Sequence, residues 1–82
     1  MNYLDVHGLT LSSAIKVINN SITNAYKTGV SVLNVNHGFN NGEKIKSWCK
    51  NELINNNLVI KVDSGENEGI SKVFIKLNLK GE

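Results

Sequence analysis

A two-layer α/β sandwich is the fold class this sequence predicts, an α+β arrangement in which a four-stranded mixed sheet carries both helices on one face. Three observations carry the prediction. Apolar residues recur at helical spacing in two segments, and four shorter segments are β-branched or alternate apolar with polar residues. The segments follow the order β-α-β-α-β-β. Two helices are too few to cover both faces of so small a sheet, so one face is expected to stay open.

The first strand is Leu4 to Gly8. Neighbours on one face of a strand sit about 7 Å apart, with Leu4 and Val6 on one side and Tyr3, Asp5 and His7 on the other. A carboxylate and an imidazole side by side at a strand end can move or orient a proton. A solvated Asp and His on an edge strand is the plain alternative. Thr10 then suits the N-cap of a helix over 11–27, whose apolar stripe is Leu11, Ala14, Ile15, Ile18, Ile22, Ala25 and Tyr26. Gly29 suits its C′ position. Val30 to Asn36 reads as the second strand, with Leu33 and Val35 toward the helices and Asn34 and Asn36 on the side of Asp5. A β-α-β unit of this kind joins parallel strands.

His37-Gly38-Phe39-Asn40-Asn41-Gly42 connects that strand to the second helix. Exposed amides and a helix N-terminus at such a junction make an anion site, although an ordinary glycine-rich turn has the same look. No Gly-Lys-Ser/Thr follows, so this is not a Walker loop. The second helix is expected from Glu43 to about Asn55, with Ile45, Trp48, Cys49 and Leu53 inward and Lys44, Lys46 and Lys50 partly outward. Cys49 reads as a small buried hydrophobe. Leu58 to Val62 forms the third strand, Asp63 to Gly69 a polar loop, and Ser71 to Leu79 the last strand.

In that last strand Val73, Ile75, Leu77 and Leu79 alternate with Lys72, Phe74, Lys76, Asn78 and Lys80. The open face therefore collects Tyr3, Asp5, His7, Asn34, Asn36, Lys61, Lys72, Phe74 and Lys76. Lysines beside aromatics suit backbone and stacking contact with nucleic acid. A solvated polar face explains the lysines equally well, but has no particular use for Phe74.

Composition narrows the classes. The 82 residues contain no Pro-rich or Ser-rich linker, so a single domain over 1–82 is expected. No apolar run approaches the ~18 residues of a membrane span, and the N-terminal residues lack the features of a signal peptide. A cytoplasmic location is the expectation. One cysteine makes no intramolecular disulfide, and with two histidines it builds no structural zinc site. Nine lysines, no arginine and a net charge of +2 permit nucleic-acid binding without demanding it.

Two stretches taken together resemble a known family. Leu4-Asp5-Val6-His7-Gly8-Leu9-Thr10, a capped helix, a Val-rich strand and then His37-Gly38 opening a second helix are similar to the Smr (small MutS-related) domain. There an L-D-x-H-G motif precedes an H/T-G-x-G-x-G loop. Gly38 and Gly42 match the loop motif, whereas Asn40 stands where the family has its middle glycine. The L-D-x-H form resembles the stand-alone branch more than the branch fused to MutS-like ATPases.

The resemblance implies a fold like the C-terminal domain of translation initiation factor three. It also implies a nucleic-acid-binding endonuclease that cleaves RNA or nicks DNA. Asp5, His7 and His37 are then the catalytic candidates. Gly38, Asn40, Gly42 and Lys44, with Lys72, Phe74 and Lys76 of the open face, would hold the nucleic acid. A divalent cation, Mg or Mn, stays open as a cofactor. RNA or DNA and the ribosome are the partners implied, with no membrane, and a monomer is expected. The alternative is a module of the same fold that binds nucleic acid or the ribosome without cutting.

Overall fold

Thr10 starts the first helix as its sequence position predicts. Its hydroxyl oxygen accepts the Ser13 amide at 3.3 Å, and α1 runs Leu11–Lys27. At the other end the Gly29 amide donates to Tyr26 and the Val30 amide to Ala25, the paired bonds of a Schellman motif. The structure, a computed structural model, describes residues 2–38 and 42–78. Phe39, Asn40, Asn41, Leu79 and Lys80 lie outside the described residues, so the expectations for Asn40 and Lys80 are not addressed by it.

The strands are β1 (Tyr3–Asp5), β2 (Val32–Asn36), β3 (Val59–Ser64) and β4 (Ile70–Ile75), arranged in the order β1-β2-β4-β3. β1 and β2 are parallel, and β4 runs antiparallel to both its neighbours. The second helix, α2, spans Glu43–Asn51. Leu33, Val35, Val59, Val73 and Ile75 from the sheet pack against Ala14, Ile18 and Ile22 of α1 and Ile45 and Cys49 of α2 in one core. Both helices thus cover one face and leave the other open. Burying that apolar surface at ~25 cal/mol per Å² is the main term favouring the fold. Among the described residues no helix is long and apolar enough to cross a membrane.

Several elements depart from the sequence reading. α2 ends at Asn51, and Leu53–Asn55 forms a separate 3-10 turn. Asn56 closes that segment: its amide donates to Leu53, and its side-chain oxygen takes the Leu58 amide. Asp63 and Ser64, expected in a loop, belong to β3 because they pair with Lys72 and Ser71. A register shift between Val59 and Lys61 leaves Ile60 outside the ladder, so that Val59 and Val62 both face inward.

Leu77 corrects a second expectation. Alternation groups it inward with Val73 and Ile75, yet it is 64% exposed. Pairing along β4 stops at Ile75, and beyond it the Asn78 side chain donates to the Tyr26 carbonyl. Alternation ends where the ladder ends.

Candidate functional site

Strand β1 stops because its own carboxylate stops it. Asp5 Oδ1 accepts the His7 backbone amide at 3.2 Å, which turns the chain out of the ladder. The turn folds the His7 ring back, so that Nδ1 lies 2.5 Å from the same Oδ1. Regular strand geometry would keep these side chains about 7 Å apart. Both stay open to solvent, the Asp5 side chain 48% and the His7 side chain 63% exposed. The side-chain hydrogen bond from His7, then its backbone amide, holds the Asp5 carboxyl below the ordinary value of 3.8. A carboxylate can only accept, so Nδ1 carries the proton of this bond. Among the described residues Nε2 has no hydrogen-bond partner, and the side chain is exposed.

Gly38 lies against this pair from β2. With φ of +82° it occupies the left-handed region, and a Cβ built on it would stand 3.4 Å from His7 Cβ. Its amide is already engaged, donating to the Gly69 carbonyl at 3.1 Å and the Asn36 side chain at 3.2 Å. Gly38 therefore lets the loop approach His7, and its amide is bonded within the protein.

His37 is placed differently from its sequence expectation. It continues the inward alternation of Leu33 and Val35 and is 1% exposed. Its ring bonds to Ser71 Oγ through Nε2 at 3.0 Å and to the Gly38 carbonyl through Nδ1 at 3.2 Å. The carbonyl requires a proton on Nδ1, so Nε2 accepts from the serine hydroxyl. Burial, foremost, and the positive charge of Lys46 lower the His37 pKa below 6.5, against opposing effects of the Gly38 carbonyl and Glu43. The ring is thus a neutral strut between β4 and the loop. The structure does not bring His37 onto the surface that carries Asp5 and His7.

Gly42 closes the loop. A Cβ there would lie 2.2 Å from the His37 carbonyl oxygen and 2.6 Å from that of Gly38, so only glycine fits. Gly42 is also the N-cap of α2 and supplies no side-chain hydrogen bond to the first turn. The first-turn amides carry the partial positive charge of a helix N-terminus, with Lys44 exposed beside them.

The remaining site residues lie on the open face. Lys61 Nζ sits 4.8 Å and Lys72 Nζ 5.7 Å from the centre of the Phe74 ring, and Lys76 is exposed. Sequence reasoning placed Lys61 on this face but not among the binding residues; its contact with Phe74 crosses strands and leaves no local signal. Ser71, the partner of His37 across 34 positions, has no sequence signal either. Cys49 is fully buried, and burial pushes its thiol up to about 12. Among the described residues no group of three His, Cys, Asp or Glu side chains is placed to hold a metal ion.

Comparison with known proteins places these features in context. The model of the Smr domain family matches residues 4–76. Among solved structures, the Smr domain of Thermus thermophilus MutS2 superposes with a TM-score of 0.85 at 20% sequence identity, covering 93% of this chain and 99% of that one. No curated protein sequence matches the chain.

Proposed function

The chain belongs to the Smr domain family, known for nucleic-acid binding and nuclease-like activity, and from that premise we propose that it is a nucleic-acid endonuclease with Asp5 and His7 at its reacting centre. The observation that carries the reading is the Asp5–His7 pair, exposed at the end of β1, with no partner on Nε2 among the described residues and Gly38 alongside.

Phosphodiester cleavage requires a proton to leave the attacking oxygen while charge builds on phosphorus. Asp5 fixes the ring through Nδ1, and Nε2 takes the proton from the attacker, the 2′-hydroxyl of RNA or a water on DNA. The new O–P bond forms as the ester P–O bond breaks. The departing oxygen then takes up a proton, from imidazolium or solvent, and His7 returns to its neutral form. The N-terminus of α2 and Lys44 support the phosphate as negative charge grows on it. His37 takes no proton in this scheme: it ties the Gly38 carbonyl to Ser71 and so fixes the loop beside His7.

Incubating the protein with end-labelled single-stranded RNA, duplex DNA and supercoiled plasmid, with and without EDTA, tests the reading. Cleavage of one substrate that His7→Ala abolishes supports it. Binding without cleavage under every condition selects the non-cutting module instead.

A further inference from the structure

Helix α2 overhangs the ends of β3 and β4, and a cavity of about 320 Å³ lies beneath it. The ladder explains why this cavity is polar. Ser64 and Ser71 are paired residues, two positions beyond Val62 on β3 and two before Val73 on β4. On the helix-facing side the apolar core therefore gives way to two hydroxyls. Lys46 and Lys50, one turn apart on α2, border the same space, and Val62 and Ile70 supply its apolar wall.

Lys46 already holds one anionic group there. Glu68 Oε1 lies 3.4 Å from its Nζ, beyond the roughly 2.7–2.9 Å of a close charge-assisted bond. The Glu68 side chain is 85% exposed, so this contact is loose and easily exchanged. Asp63, the other carboxylate bordering the cavity, is held by Lys61 at 3.2 Å. Lys50 forms no ion pair among the described residues.

We propose that this cavity seats the terminal phosphate of a small phosphate monoester, which takes the place of the Glu68 carboxylate on Lys46. Two ammonium groups and the Ser64 hydroxyl offer three donors, one for each non-bridging oxygen of a monoester. A diester has only two such oxygens and carries one charge fewer. The volume suits a ligand of nucleotide size. The seat shares no residue with the cleavage reading above and goes beyond it.

Its walls are nevertheless bonded to the loop beside His7. Ser71 Oγ meets His37 Nε2 at 3.0 Å. The carbonyl of Gly69, next to Glu68, receives the amides of His37 at 2.9 Å and Gly38 at 3.1 Å. A ligand that displaces Glu68 therefore acts on the segment that positions Gly38.

Calorimetry and amide NMR titrations of the intact chain test the seat. The probes are AMP, cyclic AMP as the diester, adenosine, inorganic phosphate, and an RNA trimer with and without a 5′-phosphate. AMP is expected to bind with a Kd on the order of 0.1–1 mM, and inorganic phosphate to compete with it. Adenosine and cyclic AMP should bind about tenfold more weakly or worse. The amides of Lys46, Glu68, Gly69 and Gly38 should shift with AMP. Lys46→Gln combined with Lys50→Gln should weaken AMP about tenfold. Glu68→Gln should tighten it about threefold by removing the competing carboxylate. Glu66→Gln takes the same charge from an exposed position outside the cavity lining and should change nothing.

No binding of AMP, equal binding of adenosine or cyclic AMP, wild-type affinity in the lysine variant, or equal effects of Glu68→Gln and Glu66→Gln each overturns the seat. Shifts that never reach Gly38 overturn its link to the loop. Trimer that competes with AMP only when 5′-phosphorylated supports a seat open to chain ends, and trimer that never competes supports one for free monoesters. Protein that binds AMP yet cleaves nothing refutes the cleavage reading alone, and protein that cleaves without binding AMP refutes the seat alone.

Discussion

His37 Nε2 and Ser71 Oγ, 34 positions apart in the chain, meet at 3.0 Å beneath the surface that carries His7. The ring is buried and its pKa is lowered, with Glu43 and Lys46 of α2 as the charged groups acting on it. The unfolded chain therefore binds a proton on this residue more readily than the folded one. Its contribution to stability is full above pH 6.5 and is lost as pH falls through the lower folded value. Thermal melts between pH 7.5 and 5 should show wild type losing stability toward acid. His37→Gln should be less stable at pH 7.5, by about 1–3 kcal/mol for the disturbed buried bonds, but with a shallower pH slope. An unchanged slope would contradict a neutral His37.

His7→Ala is expected to reduce cleavage roughly 10²–10⁴-fold, the usual contribution of a positioned proton-transfer group. Asp5→Asn keeps the shape but replaces a charged acceptor by an amide, and should lose rate to a similar degree. Both side chains are exposed, so melting temperatures should barely move. Initial rates on labelled substrate check the first statement and thermal melts the second. Two variants with wild-type rates would remove the pair from the mechanism.

Gly42→Ala should be far more damaging than its single methyl suggests. The added carbon meets two carbonyl oxygens of the chain at 2.2 and 2.6 Å, and backbone cannot swing aside as a side chain does. A loss of about 2 kcal/mol or more is expected, a drop on the order of 10 °C in Tm for a domain of this size. Calorimetry checks it, and a melting temperature within a degree of wild type would contradict the packing of this loop.

Cys49 should be unreactive in the folded protein. A fully buried thiol pushed up to about 12 has almost no thiolate at neutral pH. An aromatic disulfide reagent at pH 8 should release its chromophore only after denaturant is added. Fast labelling of native protein would show that the α2 face opens.

Asp63→Asn should tighten RNA binding. The carboxylate pairs with Lys61 at 3.2 Å and stands opposite Lys72 in the ladder, so its removal frees Lys61 and takes a negative charge away from beside Lys72. The gain should shrink as salt rises, because Lys61 and Asp63 are exposed. Weaker binding of the variant at low salt would mean that Asp63 orients the lysines.

The two helices are legible in the sequence because their signals are local. Thr10, the apolar stripe and Gly29 lie within one stretch of chain, and each acts on its immediate neighbours. The same holds for Asp5 and His7, whose proximity follows from two-residue spacing. Their 2.5 Å contact does not, because it needs the turn that carries His7 out of the strand. The length of α2, the inward place of Val62 and the outward place of Leu77 all differ from what periodicity suggests. Each depends on where pairing with another segment stops or slips.

By itself, then, the sequence determined the order of elements, the open face and the two motif stretches, since periodicity and capping are properties of neighbouring residues. Only the tertiary structure decided what His37 does. Alternation along β2 points its ring inward, yet motif position groups it with Asp5 and His7. The partner that distinguishes these readings, Ser71, reaches it only when β4 lies beside β2. The Lys61–Phe74–Lys72 corner arises the same way, from antiparallel registry between β3 and β4. Contacts between distant segments are set by which strands pair and in what register. That outcome comes from the packing of the whole core, and no short window of sequence encodes it.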